Sequence, residues 1–187
     1  MVMKKKYCLV GQREKVGQIK FDFLNEIAHP NETFCFEGYK AALLNIDTYR
    51  LLFFVVQQFA NTLSKRHFPK NLYVKATLGE IADWFDTDFE GAMKLAKDTM
   101  VSLLSFGIKY DASDEEYERF GRFHLLGASQ LSVDEESKSG EVKVSINQKF
   151  AERLYELPAI QNPLELKKKI DEWLLQQEKV IEEYKDA

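Results

Sequence analysis

Thr77-Leu78-Gly79-Glu80-Ile81-Ala82-Asp83-Trp84-Phe85-Asp86-Thr87-Asp88-Phe89-Glu90 is the stretch on which the fold turns. Thr77 and Glu80 carry the spacing of a capping box: the Thr side chain serves the third helical amide, and the Glu reaches back to the amide of the cap. A short helix over Leu78 to Phe85 follows, with Leu78, Ile81, Ala82 and Phe85 on one face. Asp86-Thr87-Asp88 breaks it and caps a second helix, predicted from Phe89 to about Phe106, whose apolar stripe is Phe89, Met93, Ala96, Met100, Leu103 and Leu104. Gly107 stands where a C-terminal glycine is expected.

Beyond Gly107 the apolar period changes from helical to two. Ile108 and Tyr110 begin a strand, Asp111 to Glu118 is an acidic loop, and two β segments follow, Phe123 to Val133 and Val142 to Ile146. Val142, Val144 and Ile146 alternate with Lys143 and Ser145, which predicts a hairpin with the polar tip Asp134 to Gly140. Asn147 caps a short helix that Pro158 closes. Upstream, Asn45-Ile46-Asp47 caps a helix carrying Tyr49, Leu52, Phe53, Val56, Phe59 and Leu63; the basic turn Lys65-Arg66-His67 and Pro69 end it, and Leu72-Tyr73-Val74 is strand-like. In the first 36 residues the run Tyr7 to Val10 and the alternating pairs Phe21/Phe23 and Phe34/Phe36 predict short strands, with a turn at His29-Pro30-Asn31.

Two helices joined by a tight turn and followed by a hairpin predict an α+β, winged-helix architecture. The expected layout is N-terminal strands over 1–36 packed on the core, the winged-helix-like domain over 37–158, and a C-terminal amphipathic helix over 159–187. In such a domain the second helix of the pair fits the major groove, where base edges are distinguishable. Lys94, Lys97 and Ser102 lie off its apolar stripe. The lysines suit phosphate or guanine contacts, and serve equally well as a solvated helix face. Arg122, Lys138 and Lys143 on or near the hairpin, and Lys65, Arg66 and Lys70 upstream, complete the candidate DNA-binding set; each also has a plain solvated reading, or for Lys65 and Arg66 one as a helix end favoured by the dipole. The expected partner is double-stranded DNA.

Composition bounds the function classes. The 187 residues are 45% hydrophobic, 30% charged and 13% aromatic, with 14 Phe, enough for a dense core. The formal net charge of −4 argues against a nonspecific nucleic-acid coat and leaves room for a small basic face on an acidic protein. The longest apolar run, Leu51 to Val56, is far short of the ~20 residues that cross a bilayer, so a cytoplasmic protein is expected. Cys8 and Cys35 stand apart in apolar-alternating contexts and read as buried thiols. The three histidines have no partners at ligand spacing, and no phosphate-cradling glycine loop or nucleophile elbow occurs, so neither an enzyme nor a cofactor is expected.

The last element, Pro163 to about Tyr184, repeats Leu166, Ile170, Trp173, Gln177, Val180 and Tyr184 at a strict four-three spacing. That stripe packs on its own domain or forms a short coiled coil with a second chain, the polar Gln177 then sitting at a core position. The second reading predicts a homodimer, or a protein partner, through these six residues.

From Leu44 to Leu157 the order and texture resemble the first winged-helix domain of the plasmid replication-initiator family. The matching pieces are Leu44-Asn45-Ile46-Asp47-Thr48-Tyr49-Arg50-Leu51-Leu52, Leu78 to Phe85, the helix ending Met100-Val101-Ser102-Leu103-Leu104, and Gly140 to Asn147 running into Phe150-Ala151-Glu152-Arg153-Leu154. The resemblance implies binding of short repeats at a replication origin, with a first domain that contributes to dimerisation and touches DNA. Where the family's second winged helix should begin, this sequence has one helix. A full initiator, a truncated relative and a scaffold reused for protein binding all remain open.

Overall fold

A computed structural model describes residues 16–63, 67–114 and 116–186. Its elements are β1 (Val16–Ile19), α1 (Asp22–Ile27), β2 (Thr33–Tyr39), α2 (Lys40–Leu43), α3 (Ile46–Thr62), β3 (Tyr73–Thr77), α4 (Leu78–Phe85), α5 (Phe89–Leu104), β4 (Gly107–Asp111), β5 (Phe120–His124), β6 (Leu126–Asp134), β7 (Ser139–Ile146), α6 (Gln148–Tyr155), a 3-10 turn (Pro158–Gln161) and α7 (Pro163–Asp186). The protein is α+β, with helices set against antiparallel sheets.

The capping box forms as its spacing requires. Glu80 N donates to Thr77 Oγ1 at 3.1 Å, and Thr77 N donates to Glu80 Oε2 at 2.7 Å. Asp86 ends α4 in the left-handed region, φ 51°, and Asp88 caps α5 by accepting from Gly91 N at 2.8 Å. Trp84 Nε1 donates to the Arg50 carbonyl at 3.1 Å, which ties α4 to α3. The strands around this pair form a sheet in the order β3-β7-β6, antiparallel throughout, with Val74 opposite Val144 and Leu131 opposite Val142. Val74, Ala76, Val142 and Val144 are buried under the helices, while Tyr73, Lys75 and Lys143 point the other way, as the two-residue strand period demands. In chain order these elements are a helix, a strand, a pair of helices joined by a short turn, and the β6–β7 hairpin, or wing.

A second sheet, in the order β1-β2-β4-β5, joins the two N-terminal strands to two strands inserted between α5 and the wing. The structure corrects the sequence reading at three places. The segment expected to run unbroken from Phe123 to Val133 is two strands in two sheets. They part at Leu125, which is wholly buried and whose carbonyl accepts from Asn147 N at 2.9 Å. Gly107 does not cap α5. It opens β4 with no positive φ, and its open side is filled by Arg122 and the Phe123 carbonyl. Phe21 and Phe23 are not on a strand: Phe21 is the N-cap of α1, and Phe23, Leu24 and Ile27 are buried at helical spacing. The pair Phe34 and Phe36 does lie buried on a strand, β2. The run Tyr7 to Val10 and Cys8 lie outside the described residues. Cys35 is a free thiol, half-buried rather than enclosed.

The core is aromatic. Phe53 and Trp173 stack with ring centres 5.3 Å apart, Phe23 meets Trp173 edge-on at 4.8 Å, and Tyr49 meets Phe106 at 5.5 Å. Trp173 belongs to α7, which lies along α3. Leu166, Ile170, Trp173 and Gln177 are each 0–2% exposed, all within this chain's own core. The dimer interface expected for the stripe is therefore corrected: four of its six side chains are closed to a second chain, because covering the aromatic face of α3 consumes them. Val180 is half-buried and Tyr184 exposed, while Ile181, one step off the expected register, is buried in their place.

Candidate nucleic-acid interface

Helix α5 is packed along Ala92, Ala96, Thr99, Met100 and Leu103, which are buried against its neighbours. At 100° per residue, Glu90, Lys94, Lys97 and Val101 fall within about 60° of arc on the opposite side, with Asp98 about 40° beyond it. All five are exposed. Lys94 and Lys97 make no ion pair among the described residues, so neither ammonium group is tied to a carboxylate. Ser102 is half-buried and turned inward on the helix, its hydroxyl donating to the Asp98 carbonyl at 3.3 Å.

A shallow cleft runs between α5 and β6, with Met100 and Val142 in its floor and Lys97, Val101, Gln130 and Leu131 along its rims. The sequence reading did not single out Val101, Gln130 or Leu131. Val101 was legible, since it lies seven residues beyond Lys94 on the same stripe; Leu131 joins only through strand register, opposite Val142. At the end of the wing, Asp134 Oδ1 accepts from Glu136 N at 3.0 Å and Ser137 N at 3.3 Å. Those bonds from Ser137 and Glu136 hold the Asp134 carboxyl below the usual carboxylate range. Lys138 follows in the left-handed region, φ 49°, which sets its exposed side chain at the tip.

The other expected DNA contacts do not gather here. Lys143 lies on the far face of the wing sheet, its Nζ 4.3 Å from the centre of the Tyr73 ring, so it shares no surface with Lys94 and Lys97. Arg122 sits on the inserted sheet, where its Nε donates to Glu37 Oε2 at 2.8 Å and its Nη2 to the Ser105 carbonyl at 3.3 Å. It closes the end of α5 and is not a free cation. Lys70 is exposed in the bend before β3, away from α5 in the chain. Lys65 and Arg66 lie outside the described residues.

No protein-family model matches this chain, and no curated protein sequence matches it. Among solved structures it is similar to the WH1 domain of MSBI1.176, described as a replication protein isolated from a multiple sclerosis patient, at 13% identity and a TM-score of 0.44, over 64% of this chain and 86% of that one.

The interface is electrostatically mixed. Asp83, Asp86, Asp88, Glu90 and Asp98 stand exposed on the same two helices and their turn, against Lys94 and Lys97. Elsewhere, Asp111 at the end of β4 and Asp114, Glu116 and Glu118 in the loop after it are all exposed. No helix among the described residues is long and apolar enough to cross a membrane.

Proposed function

We propose that this chain is a non-enzymatic, cytoplasmic DNA-binding protein that sets the outer stripe of α5 into the major groove of a duplex. One observation carries the reading: two unpaired lysines lie on the exposed stripe of the second helix of a helix-turn-helix, beside the cleft that separates it from the wing. Lys94 and Lys97 supply phosphate or guanine contacts, and Lys138 at the wing tip reaches the flanking backbone. The likeness of Leu44 to Leu157 to replication initiators supports origin or repeat binding as the setting. A dimer on a two-fold site would need a surface other than the buried stripe of α7.

The test is titration of the folded protein with duplex DNA across a salt series. With about three phosphate contacts, log K should fall with log salt at a slope near −2 to −3, since each neutralised phosphate releases about 0.9 of a counterion. Absence of a complex at low salt removes the reading.

A second reading, a winged-helix scaffold that binds another protein, is favoured by one observation: the exposed acids of α4, α5 and their turn outnumber the exposed lysines of the same segment. It predicts that neutralising Asp83 and Glu90 together leaves no duplex binding to be gained, whereas the DNA reading predicts tighter binding by that variant.

A further inference from the structure

Val101 is 68% exposed, and it is the one large apolar side chain that α5 leaves in solvent. A lone exposed valine is ordinary on a protein surface. Its position here is not peripheral. It sits near the middle of the arc defined by Glu90, Lys94 and Lys97, one helical turn beyond Lys97, and forms a rim of the cleft whose floor is Met100 and Val142. Whatever the lysines approach, Val101 approaches with them. Of the groups displayed in the major groove, only the thymine C5 methyl offers an apolar partner to such a side chain; the remaining base-edge groups there are hydrogen-bond donors or acceptors.

We propose that Val101 is a specificity residue that reads a thymine methyl in the bound duplex. The proposal rests on the duplex-binding reading and deepens it. Whichever contacts Lys94 and Lys97 make, neither can sense a methyl group, and Val101 makes one position of the site depend on thymine. Leu131, paired with Val142 on the helix-facing side of the wing, lines the opposite side of that cleft.

The test separates this proposal from the reading beneath it. Duplexes are selected from a randomised pool with the wild-type protein, and each thymine of the enriched site is then replaced singly by uracil, which removes the methyl and nothing else. At one position the wild type should lose about fourfold in affinity, the effect of one buried methyl-sized group. Val101→Ala should bind the thymine and uracil duplexes equally, and Val101→Ile should keep the dependence. Ala is the better helix former, so the first variant should melt no lower than the wild type, which rules out unfolding as the cause. A wild type indifferent to every uracil, or a Val101→Ala protein as sensitive as the wild type, overturns the proposal and leaves duplex binding standing. Enrichment of no duplex at all overturns both.

Discussion

Arg153 and Glu32 meet at 2.7 Å, joining α6 to the turn after α1 across more than half the chain. Their side chains are only 9% and 15% exposed, and the Arg153 guanidinium also lies over the Phe34 ring at 5.6 Å. A pair this enclosed adds little over an apolar pair of the same volume, but removing one partner strands the other charge. Glu32→Ala should therefore cost about 3 kcal/mol, and lower the melting temperature by roughly 6–12 °C for a chain of this size. Pairing Glu32→Leu with Arg153→Leu should recover most of that loss; thermal unfolding of the two variants decides.

Gln177 is wholly buried beside the Tyr49 phenol, yet that hydroxyl gives its proton to the Leu43 carbonyl at 2.9 Å, and the Gln177 amide has no hydrogen-bond partner among the described residues. A polar group in this state carries its desolvation cost without return. Gln177→Leu should raise stability by about 1 kcal/mol, read as a melting temperature higher by roughly 2–4 °C. Its sedimentation should match that of the wild type, because the position faces α3 and not a second chain.

The parts of this fold legible in the sequence are those fixed by neighbours in the chain. Thr77 and Glu80 are three apart, so their reciprocal bonds follow from spacing alone, and the bounds of α4 come with them. Asp88 and the α5 stripe are equally local. The failures involve partners far away. Phe21 and Phe23 alternate as a strand would, and only burial of Leu24 and Ile27 against distant rings makes the segment helical. Leu125 splits an apparently continuous strand because two sheets meet there. Arg122 looked like a free cation because Glu37, on β2, is invisible as its partner until the sheet forms.

Gly140 is the second residue of β7, at a point where a side chain would strike α4. A Cβ there would stand 2.6 Å from Leu78 Cδ1 and 2.9 Å from the Ser132 carbonyl oxygen. The Leu78 side chain is buried, and the carbonyl is backbone, so neither can retreat freely. Gly140→Ala should destabilise by about 1–3 kcal/mol, the usual cost of overpacking. It should also loosen the wing, measurable as faster amide exchange at Val142 and Val144.

The pH response should be set in part by Asp114 and Asp134. Bonds from Tyr117 and Glu116 amides depress the Asp114 carboxyl, as those from Ser137 and Glu136 depress Asp134. A carboxyl whose folded value is lowered stabilises the fold above its unfolded value, near 3.8, and that contribution disappears as pH falls through the folded value. Order in the loop after β4 and at the wing tip should thus be retained at neutral pH and lost below about pH 4. Asp114→Asn and Asp134→Asn should flatten the fall when the carboxyl resonances and amide exchange are followed by NMR.

Lys138 separates the wing's conformation from its charge. Its φ of 49° is a region that costs a side-chain-bearing residue energy and costs glycine none. Lys138→Gly should accordingly raise stability by about 0.5–1 kcal/mol while deleting the cation at the tip. If Lys138 contacts a phosphate, the same variant should bind DNA more weakly at low salt and show a salt slope shallower by about 0.9. Lys138→Asn, which tolerates the same backbone and also lacks the charge, should reproduce the slope with a smaller gain in stability. A stabilised Lys138→Gly protein whose salt slope equals that of the wild type would show that the tip stays clear of the duplex, and would confine the electrostatic contact to Lys94 and Lys97.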